Sequence, residues 1–554
     1  MLSIQTYKFD ANTTNCLNEW LYGTNWPIVY IFYNEKSAYV GETLDAIRRT
    51  NQHRQDNNFI DFTDVCYISD KTFNKSVILD LESFLIKYMS ADGSKNLING
   101  NEGIVDHNYF YREAYIDDFK DVWNNLMRKG IVSKTLQDIE NSDIFKYSPY
   151  KTLSSEQYSG LYEILKWLAI VNTKSEKSLV EVMGGAGTGK TILAVYLLKL
   201  LVDLSSSSIS NKSELRFYRE IFAELGIGDI QKIISKLSDL KSEKIGFVVP
   251  MGELHKTMKE VFKTINGLNP EMILTPNQVA KSDIKYGLLV VDEAHRLYWR
   301  KHLPGYLNVE FDKANKIMMK EDFTKDNNQA YTELDWIIKK SRLQIIFYDE
   351  YQRIRTADIP RFKLEEICKP RLAKKIELYS QMRCKGGNGY YEYVKKVLEG
   401  VNLDFRDHKR IENYCLSTVD SLEELFSIIN GLNNESNLCR VLVGPIASHK
   451  DTPIIDGHVL RWDKDIFSIH TIQGFDLNYA GVIFGEDVYY DKDKRCICIN
   501  SNKLTDKFMK SSGEEWKRQF ELNLYLILMT RAINGTFVYA VDDNLREYFR
   551  YFFK

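Results

Sequence analysis

One run of eight residues constrains this chain more than any other: Gly184-Gly185-Ala186-Gly187-Thr188-Gly189-Lys190-Thr191. It fits G-x-x-x-x-G-K-[ST] at every required position, follows the apolar run 179–183 and opens the apolar stretch 192–201. Strand, glycine-rich turn and helix in that order form a phosphate cradle. The glycines let backbone N–H groups converge on phosphates, and the helix N-terminus adds partial positive charge. Lys190 is expected to reach the β/γ-phosphates and Thr191 to ligate Mg²⁺, with ATP as substrate. Further apolar runs at 245–250, 288–291, 344–348, 440–444, 480–484 and 536–541 alternate with helical stretches. That alternation predicts an α/β fold with parallel sheets and crossover helices.

A second segment suits the cradle's metal. The apolar run 288–291 ends in Asp292 and Glu293, about a hundred residues past the cradle. Asp292 is expected to hold Mg²⁺ and Glu293 to orient the attacking water. Further polar-ended segments follow: Tyr348-Asp349-Glu350-Tyr351-Gln352, Leu378-Tyr-Ser-Gln381-Met-Arg383, His470-Thr471-Ile-Gln473-Gly474-Phe-Asp476 and Thr530-Arg531-Ala532. In this order they resemble the motifs of superfamily 1 helicases, and most closely the bacterial Schlafen-group helicase-like domain of unknown function. The resemblance implies two RecA-like lobes. It implies that Gln157, in Thr152-Leu153-x-x-x-Gln157, contacts adenine and that Gln352 senses the γ-phosphate. Arg383 and Arg531 would be arginine fingers, stabilising charge on the transferring phosphoryl group. His470, Thr471 and Gln473 would couple ATP state to nucleic acid, and Pro250 and Thr275 would touch the strand backbone.

The first ~105 residues carry a different pattern. Runs 27–32 and 38–41 flank the polar turn Asn34-Glu35-Lys36-Ser37, a hairpin signal. Helical periodicity follows over 43–53 and about 75–88. Ile28-Val29-Tyr30 and Tyr39-Val40-Gly41 lie on the hairpin strands; Arg49 and His53 share a helix face one turn apart; Glu82 is mid-helix, with Asn96 beyond it. This set resembles the GIY-YIG nuclease domain, with Ile28 where the family has its first glycine. The resemblance implies a Mg²⁺-dependent endonuclease. Glu82 would hold the metal, Arg49 would face the scissile phosphate, and Tyr30 would be the base, assisted by Tyr39 or His53. A free tyrosine has a pKa of about 10, so that base needs help.

Length and composition frame these units. The chain has 554 residues, which at ~150 per domain suggests three to four domains. The expected division is a nuclease-like domain over 1–105, a helical connector over 106–147, and RecA-like lobes over 148–375 and 376–554. Residues 300–330, rich in Asp, Lys and Asn, are expected to be an insertion, and 205–210 an exposed loop. No internal repeat is visible. The eight cysteines form no C-x-x-C pair, which argues against a zinc ribbon, a redox motif or a disulfide framework. No apolar run approaches the ~18 residues of a spanning helix, and no signal peptide is evident. The expectation is a cytoplasmic protein with no membrane partner.

The formal net charge is -2, which by itself disfavours a nucleic-acid partner. It averages an acidic start, with 9 Lys+Arg against 13 Asp+Glu in residues 1–105, and a remainder that nets positive. The first unit should therefore bind nucleic acid weakly and depend on the motor to deliver the strand. Three readings stand open. The first is an ATP-driven translocase or helicase with an endonuclease that cuts DNA, suited by analogy to defence against foreign phage DNA. The second is an ATP-gated RNA or tRNA nuclease. The third is an active motor with a non-catalytic docking module. Translocation polarity, unwinding, cutting specificity and oligomeric state are not encoded in these motifs.

Overall fold

The computed structural model describes residues 2–99, 112–140, 153–171, 177–205, 244–265, 267–320, 328–353, 355–400, 410–444, 452–469, 476–504 and 513–553, with isolated positions between them. Thr152, His470, Gln473 and most of the expected loop at 205–210 lie outside the described residues. The chain forms two compact units, one mainly from residues 1–154 and the other mainly from 155–205 and 269–554.

The first unit has a five-stranded sheet. Its strands are β1 (Ser3–Lys8), β2 (Ile28–Tyr33), β3 (Ser37–Thr43), β4 (Asp64–Ser69) and β5 (Asn96–Leu97), in the order β1-β4-β2-β3-β5. All pairs are antiparallel except β3 with β5. The expected hairpin is β2–β3, with Tyr30 opposite Gly41 and Phe32 opposite Tyr39. Its turn is held by the Asn34 side-chain oxygen, which accepts the N–H groups of Lys36 (2.8 Å) and Ser37 (2.7 Å). Helices α1 (Thr13–Glu19), α2 (Ala46–Arg54) and α3 (Lys75–Asp92) belong to this unit. Asp45 caps α2 and Asn74 caps α3, each accepting a backbone N–H of the first turn.

The stretch expected to be a connector is built into this unit. It holds α4 (Arg112–Arg128) and α5 (Leu136–Glu140). The α4 stripe Phe119, Val122, Trp123 and Leu126 shares a core with Leu81, Leu85 and Tyr88 of α3. An apolar stripe at that spacing has to be covered, and α3 covers it. Arg112 Nε reaches Asp80 Oδ2 at 3.0 Å, and Asp92 accepts the N–H groups of Ser133 (3.0 Å) and Lys134 (2.7 Å).

The second unit contains two RecA-like parallel-sheet lobes. The first sheet comprises β6 (Ser178–Gly184), β7 (Lys244–Val248), β8 (Ile273–Leu274), β9 (Tyr286–Val291), β10 (Ser341–Tyr348) and β11 (Leu372–Leu378). Their order is β11-β6-β10-β9-β7-β8, all parallel. The second comprises β12 (Cys415–Thr418), β13 (Cys439–Val443), β16 (Phe467–Ser468), β17 (Leu477–Phe484) and β20 (Ala532–Ala540), in the parallel order β12-β20-β17-β13-β16. Between and beside them lie two small hairpins, β14 (Ile454–Ile455) with β15 (His458–Val459) and β18 (Val488–Asp491) with β19 (Cys496–Ile499). The helices used below are α6 (Ser155–Ile170), α7 (Lys190–Ser205), α8 (Pro276–Lys281), α9 (Gly305–Met319), α10 (Glu333–Lys340), α11 (Arg361–Cys368), α12 (Gly387–Glu399), α13 (Leu422–Ser436), α14 (Glu514–Met529) and α15 (Asp543–Phe552).

The region expected as an insertion contains α9, which buries Phe311, Ala314, Met318 and Met319 against Trp336 of α10. Asn315 ties the two helices, accepting the Trp336 indole N–H at 2.7 Å. The apolar run 525–529 forms the buried end of α14. Among the described residues no helix is long and apolar enough to cross a membrane.

Candidate functional site

The C-terminal ends of β6, β10 and β9 are neighbours, and parallel sheets bind ligands outside such ends. There the cradle meets both acidic segments. Lys190 is buried, and its Nζ donates to the carbonyls of Gly184 (2.7 Å) and Gly185 (2.8 Å) and pairs with Asp349 Oδ2 at 3.1 Å. The Gln352 amide donates to the same Asp349 oxygen at 2.6 Å. Sequence reasoning assigned no role to Asp349, although an apolar strand ending in an acid is the same signal that picked out Asp292. Gly187 and Gly189 have φ of +78° and +76°. A Cβ at Gly187 would fall 1.8 Å from Gln381 Oε1, and one at Gly189 2.1 Å from Gln157 Nε2, so both conformation and space demand glycine. Gln157 is buried and its amide donates to Thr188 O at 3.0 Å, which places it against the cradle backbone.

Asp292 is fully buried, and neither carboxylate oxygen meets hydrogen-bond geometry with a described partner. Burial, and then the Glu293 carboxylate, push its pKa up to about 7, while the Thr191 hydroxyl and Lys190 oppose this. A buried carboxylate beside a threonine hydroxyl is the donor set a hard divalent cation takes, so the residues fit Mg²⁺. Glu293 sits in the left-handed region at φ +50°, a conformation unusual for glutamate and concentrated at functional sites. Burial would raise its pKa, but His295, Lys190 and Arg296 together outweigh that and hold it below the usual carboxylate range. His295 Nε2 lies 2.8 Å from Glu293 Oε2, and its Nδ1 accepts the Asp349 N–H at 3.2 Å. That second bond assigns the ring proton to Nε2, facing Glu293.

The second lobe reaches the same place. Arg383 Nε pairs with Asp476 Oδ1 at 2.5 Å. Arg531 is buried just past α14. Helix α12 brings Tyr391 to within 4.0 Å of where a Gly185 Cβ would lie, and Lys395 Nζ to 3.3 Å from the Tyr351 hydroxyl. No local sequence pattern singles these two residues out.

The residues expected to meet nucleic acid are less convergent. Pro250 follows β7 and is half-buried. Thr275 is the N-cap of α8 in a complete capping box with Gln278, which accounts for its hydroxyl structurally. Thr471 exchanges hydrogen bonds with the Ser468 backbone at 3.1 Å.

In the first unit the expected residues cluster. The Tyr30 hydroxyl lies 3.0 Å from His53 Nε2 and accepts the Arg49 Nε–H at 3.0 Å. Arg49 also hydrogen-bonds Tyr39, whose ring centroid is 6.4 Å from that of Tyr30. Glu82, half-buried on α3, is near enough for its charge to act on both tyrosines. Gly41 is required by close approach, because a Cβ there would meet the Tyr30 hydroxyl at 2.3 Å. Burial, and then Tyr39, push the Tyr30 hydroxyl above its ordinary range, with Arg49 opposing. The expected base is thus a poor one alone. His53, packed 3.9 Å from Phe59 between ring centroids, is pushed down to about 4 by burial and then by Arg49. It is neutral at neutral pH and can accept a hydrogen bond from the Tyr30 hydroxyl. Burial, and then Glu42, push Glu82 up to about 7, and Glu82 accepts the Glu42 backbone N–H. A desolvated carboxylate beside a second one suits a water-rich Mg²⁺. Asn96 lies in β5, but Asn99 makes the side-chain bridge to β3, accepting the Val40 N–H (2.9 Å) and donating to the Val40 carbonyl (2.7 Å).

The family model described as Schlafen group 3, DNA/RNA helicase domain, matches residues 177–454 and 464–542. An uncharacterized protein of Saccharomyces cerevisiae is 25% identical over 454 residues, 72% of this chain and 90% of that protein. Among solved structures, the PRRSV helicase is similar at 11% identity and a TM-score of 0.29, covering 68% of this chain and 54% of that one. A Pif1 helicase from Bacteroides, solved in complex with ADP-AlF3 and ssDNA, is similar at 9% identity and a TM-score of 0.24, covering 70% of this chain and 92% of that one. The family match takes in both parallel sheets and more than half of the chain, which therefore belongs to the Schlafen group 3 DNA/RNA helicase domain family.

Proposed function

We propose that the chain is an ATP-driven DNA motor whose N-terminal unit is a Mg²⁺-dependent endonuclease of the GIY-YIG type, acting against foreign DNA. The proposed division is a nuclease unit over 1–105, helices anchored to it over 106–147, a first lobe from 148 through β11, and a second lobe over the rest of the chain, so the expected boundary at 375 moves past β11, which pairs along its length with β6. The observation that carries the motor reading is the meeting of Lys190, Asp292, Glu293 and Gln352 at one sheet end, joined by Arg383, whose Cβ lies against the turn at Gly187.

The backbone N–H groups of the turn and the α7 N-terminus bind the phosphates, and Lys190 adds a fixed cation. Glu293 stays ionised across the physiological range and orients the attacking water, with His295 setting its direction. Arg383 and Arg531 oppose charge on the transferring group. Asp292 and Thr191 would hold Mg²⁺, which when bound would supply further charge neutralisation. In the first unit Arg49 binds the scissile phosphate. Tyr30, fixed between the Arg49 Nε–H and His53, orients the attacking water. Glu82 would hold Mg²⁺, which when bound would supply polarisation of the scissile phosphate.

ATP hydrolysis and strand cleavage measured side by side test both halves, on single-stranded DNA, double-stranded DNA and RNA, with and without Mg²⁺. The expected result is nucleic-acid-stimulated hydrolysis lost in Lys190→Ala and DNA nicking lost in Glu82→Ala. Full hydrolysis by Lys190→Ala removes the motor reading, and unchanged nicking by Glu82→Ala removes the nuclease reading. Cleavage confined to RNA replaces DNA as the substrate.

A further inference from the structure

We propose that Gln381 is the positioning residue that ties Arg383 to the phosphate-binding turn. The inference rests on the motor reading and names a residue that reading does not use.

The strand β11 lies beside β6, so the segment leaving β11 runs directly over the cradle that leaves β6. It is anchored along its length. The Glu156 carboxylate on α6 accepts the N–H groups of Tyr379 and Ser380, each at 2.8 Å. The Gln381 N–H donates to Asn388 Oδ1 of α12 at 2.5 Å, and the Met382 N–H to the Gly187 carbonyl at 2.9 Å. The Lys385 N–H reaches the Ile533 carbonyl of β20 at 2.9 Å, so the segment passes from the first lobe into the second.

The Gln381 side chain is the bridge. Its Nε2 donates to the Ala186 carbonyl in the turn, and its Oε1 accepts the Arg383 backbone N–H at 2.8 Å. One rigid planar group therefore touches the cradle with one end and the arginine's own peptide with the other. The amide fills the space that a side chain at Gly187 would occupy. The carboxamide offers a donor and an acceptor on one plane without titrating near neutral pH. Glutamate keeps the acceptor and sets an oxygen against the Ala186 carbonyl, and asparagine is one methylene too short. Asp476 holds the other end of Arg383. A shift of the turn is thereby passed to the arginine through two hydrogen bonds.

The test uses the full chain with saturating single-stranded DNA and measures kcat, KM for ATP and melting temperature. The variants are Gln381→Ala, Gln381→Glu, Arg383→Ala and the Gln381→Ala/Arg383→Ala double variant. We expect kcat to fall roughly ten- to a hundredfold in Gln381→Ala, the range for a misplaced catalytic group, with KM moving far less. Gln381→Glu should fail alongside it, and the double variant should be no slower than Arg383→Ala. Single-variant losses that multiply in the double variant overturn the proposal, as does wild-type kcat in Gln381→Glu. A lowered melting temperature with unchanged kcat overturns it in favour of a purely structural role. If the unaltered chain hydrolyses no ATP, the motor reading falls and this role falls with it; a working enzyme indifferent to Gln381 removes this role alone.

Discussion

Asp292 and Glu293 are adjacent carboxylates that share one desolvated pocket, and their environments drive them apart. One is pushed up to about 7 and the other held down by His295, Lys190 and Arg296. Glu293→Gln should leave nucleotide binding intact and lower kcat by about a hundredfold or more, the usual worth of a positioned acid–base group. Single-turnover hydrolysis set against nucleotide affinity checks this. His53 makes a pH prediction. Its folded pKa of about 4 lies below the ordinary 6.5, so between those values the unfolded chain binds the extra proton. Its contribution to stability is present above pH 6.5 and is lost as pH falls towards 4. The gap in melting temperature between the unaltered chain and His53→Gln should therefore narrow over that window. A gap constant from pH 7 to 4 would contradict the assignment. Lys190, Thr191, Asp292 and Arg49 were legible because their patterns are local. Asp349 carried the same local signal as Asp292 and was passed over, whereas Gln381 and Tyr391 have partners 195 and 206 positions away, and no one-dimensional spacing records such contacts.

Among the elements, legibility followed burial. Strands β6, β9 and β10 are covered on both faces and read as continuous apolar runs. Strand β11 has the sequence Leu-Ala-Lys-Lys-Ile-Glu-Leu and lies at the sheet edge, where exposed lysines blunt unwanted pairing and erase the strand signal. Strand β1 is likewise a half-exposed edge. The β2–β3 hairpin was visible from its turn, and its tolerance is narrow. Gly41→Ala would drive a methyl group into the Tyr30 ring, costing about 1–3 kcal/mol as overpacking does. We expect a lower melting temperature for the first unit and loss of nicking, with ATP hydrolysis within twofold of the unaltered chain. Hydrolysis lost in parallel would mean that the change had unfolded more than the hairpin.

At the scale of the molecule, the phosphate cradle and the Tyr30–Arg49–His53–Glu82 cluster sit in separate units. Residues 1–105 are acidic, so under the proposed nuclease reading phosphate neutralisation has to come chiefly from the remainder of the chain. Lys190→Ala should accordingly slow nicking of long duplex DNA by about tenfold while leaving nicking of a short flap oligonucleotide near its original rate, the loss of a local-concentration effect. Equal rates on both substrates would show that the nuclease finds its strand unaided. The left-handed backbone at Glu293 has a consequence on a longer timescale. Holding a glutamate there costs on the order of 1–3 kcal/mol, and glycine or asparagine would relieve it. In a lineage released from the need to hydrolyse ATP, position 293 is where random drift gains stability first. Glycine or asparagine at that position would then mark a descendant that binds nucleotide and no longer turns it over.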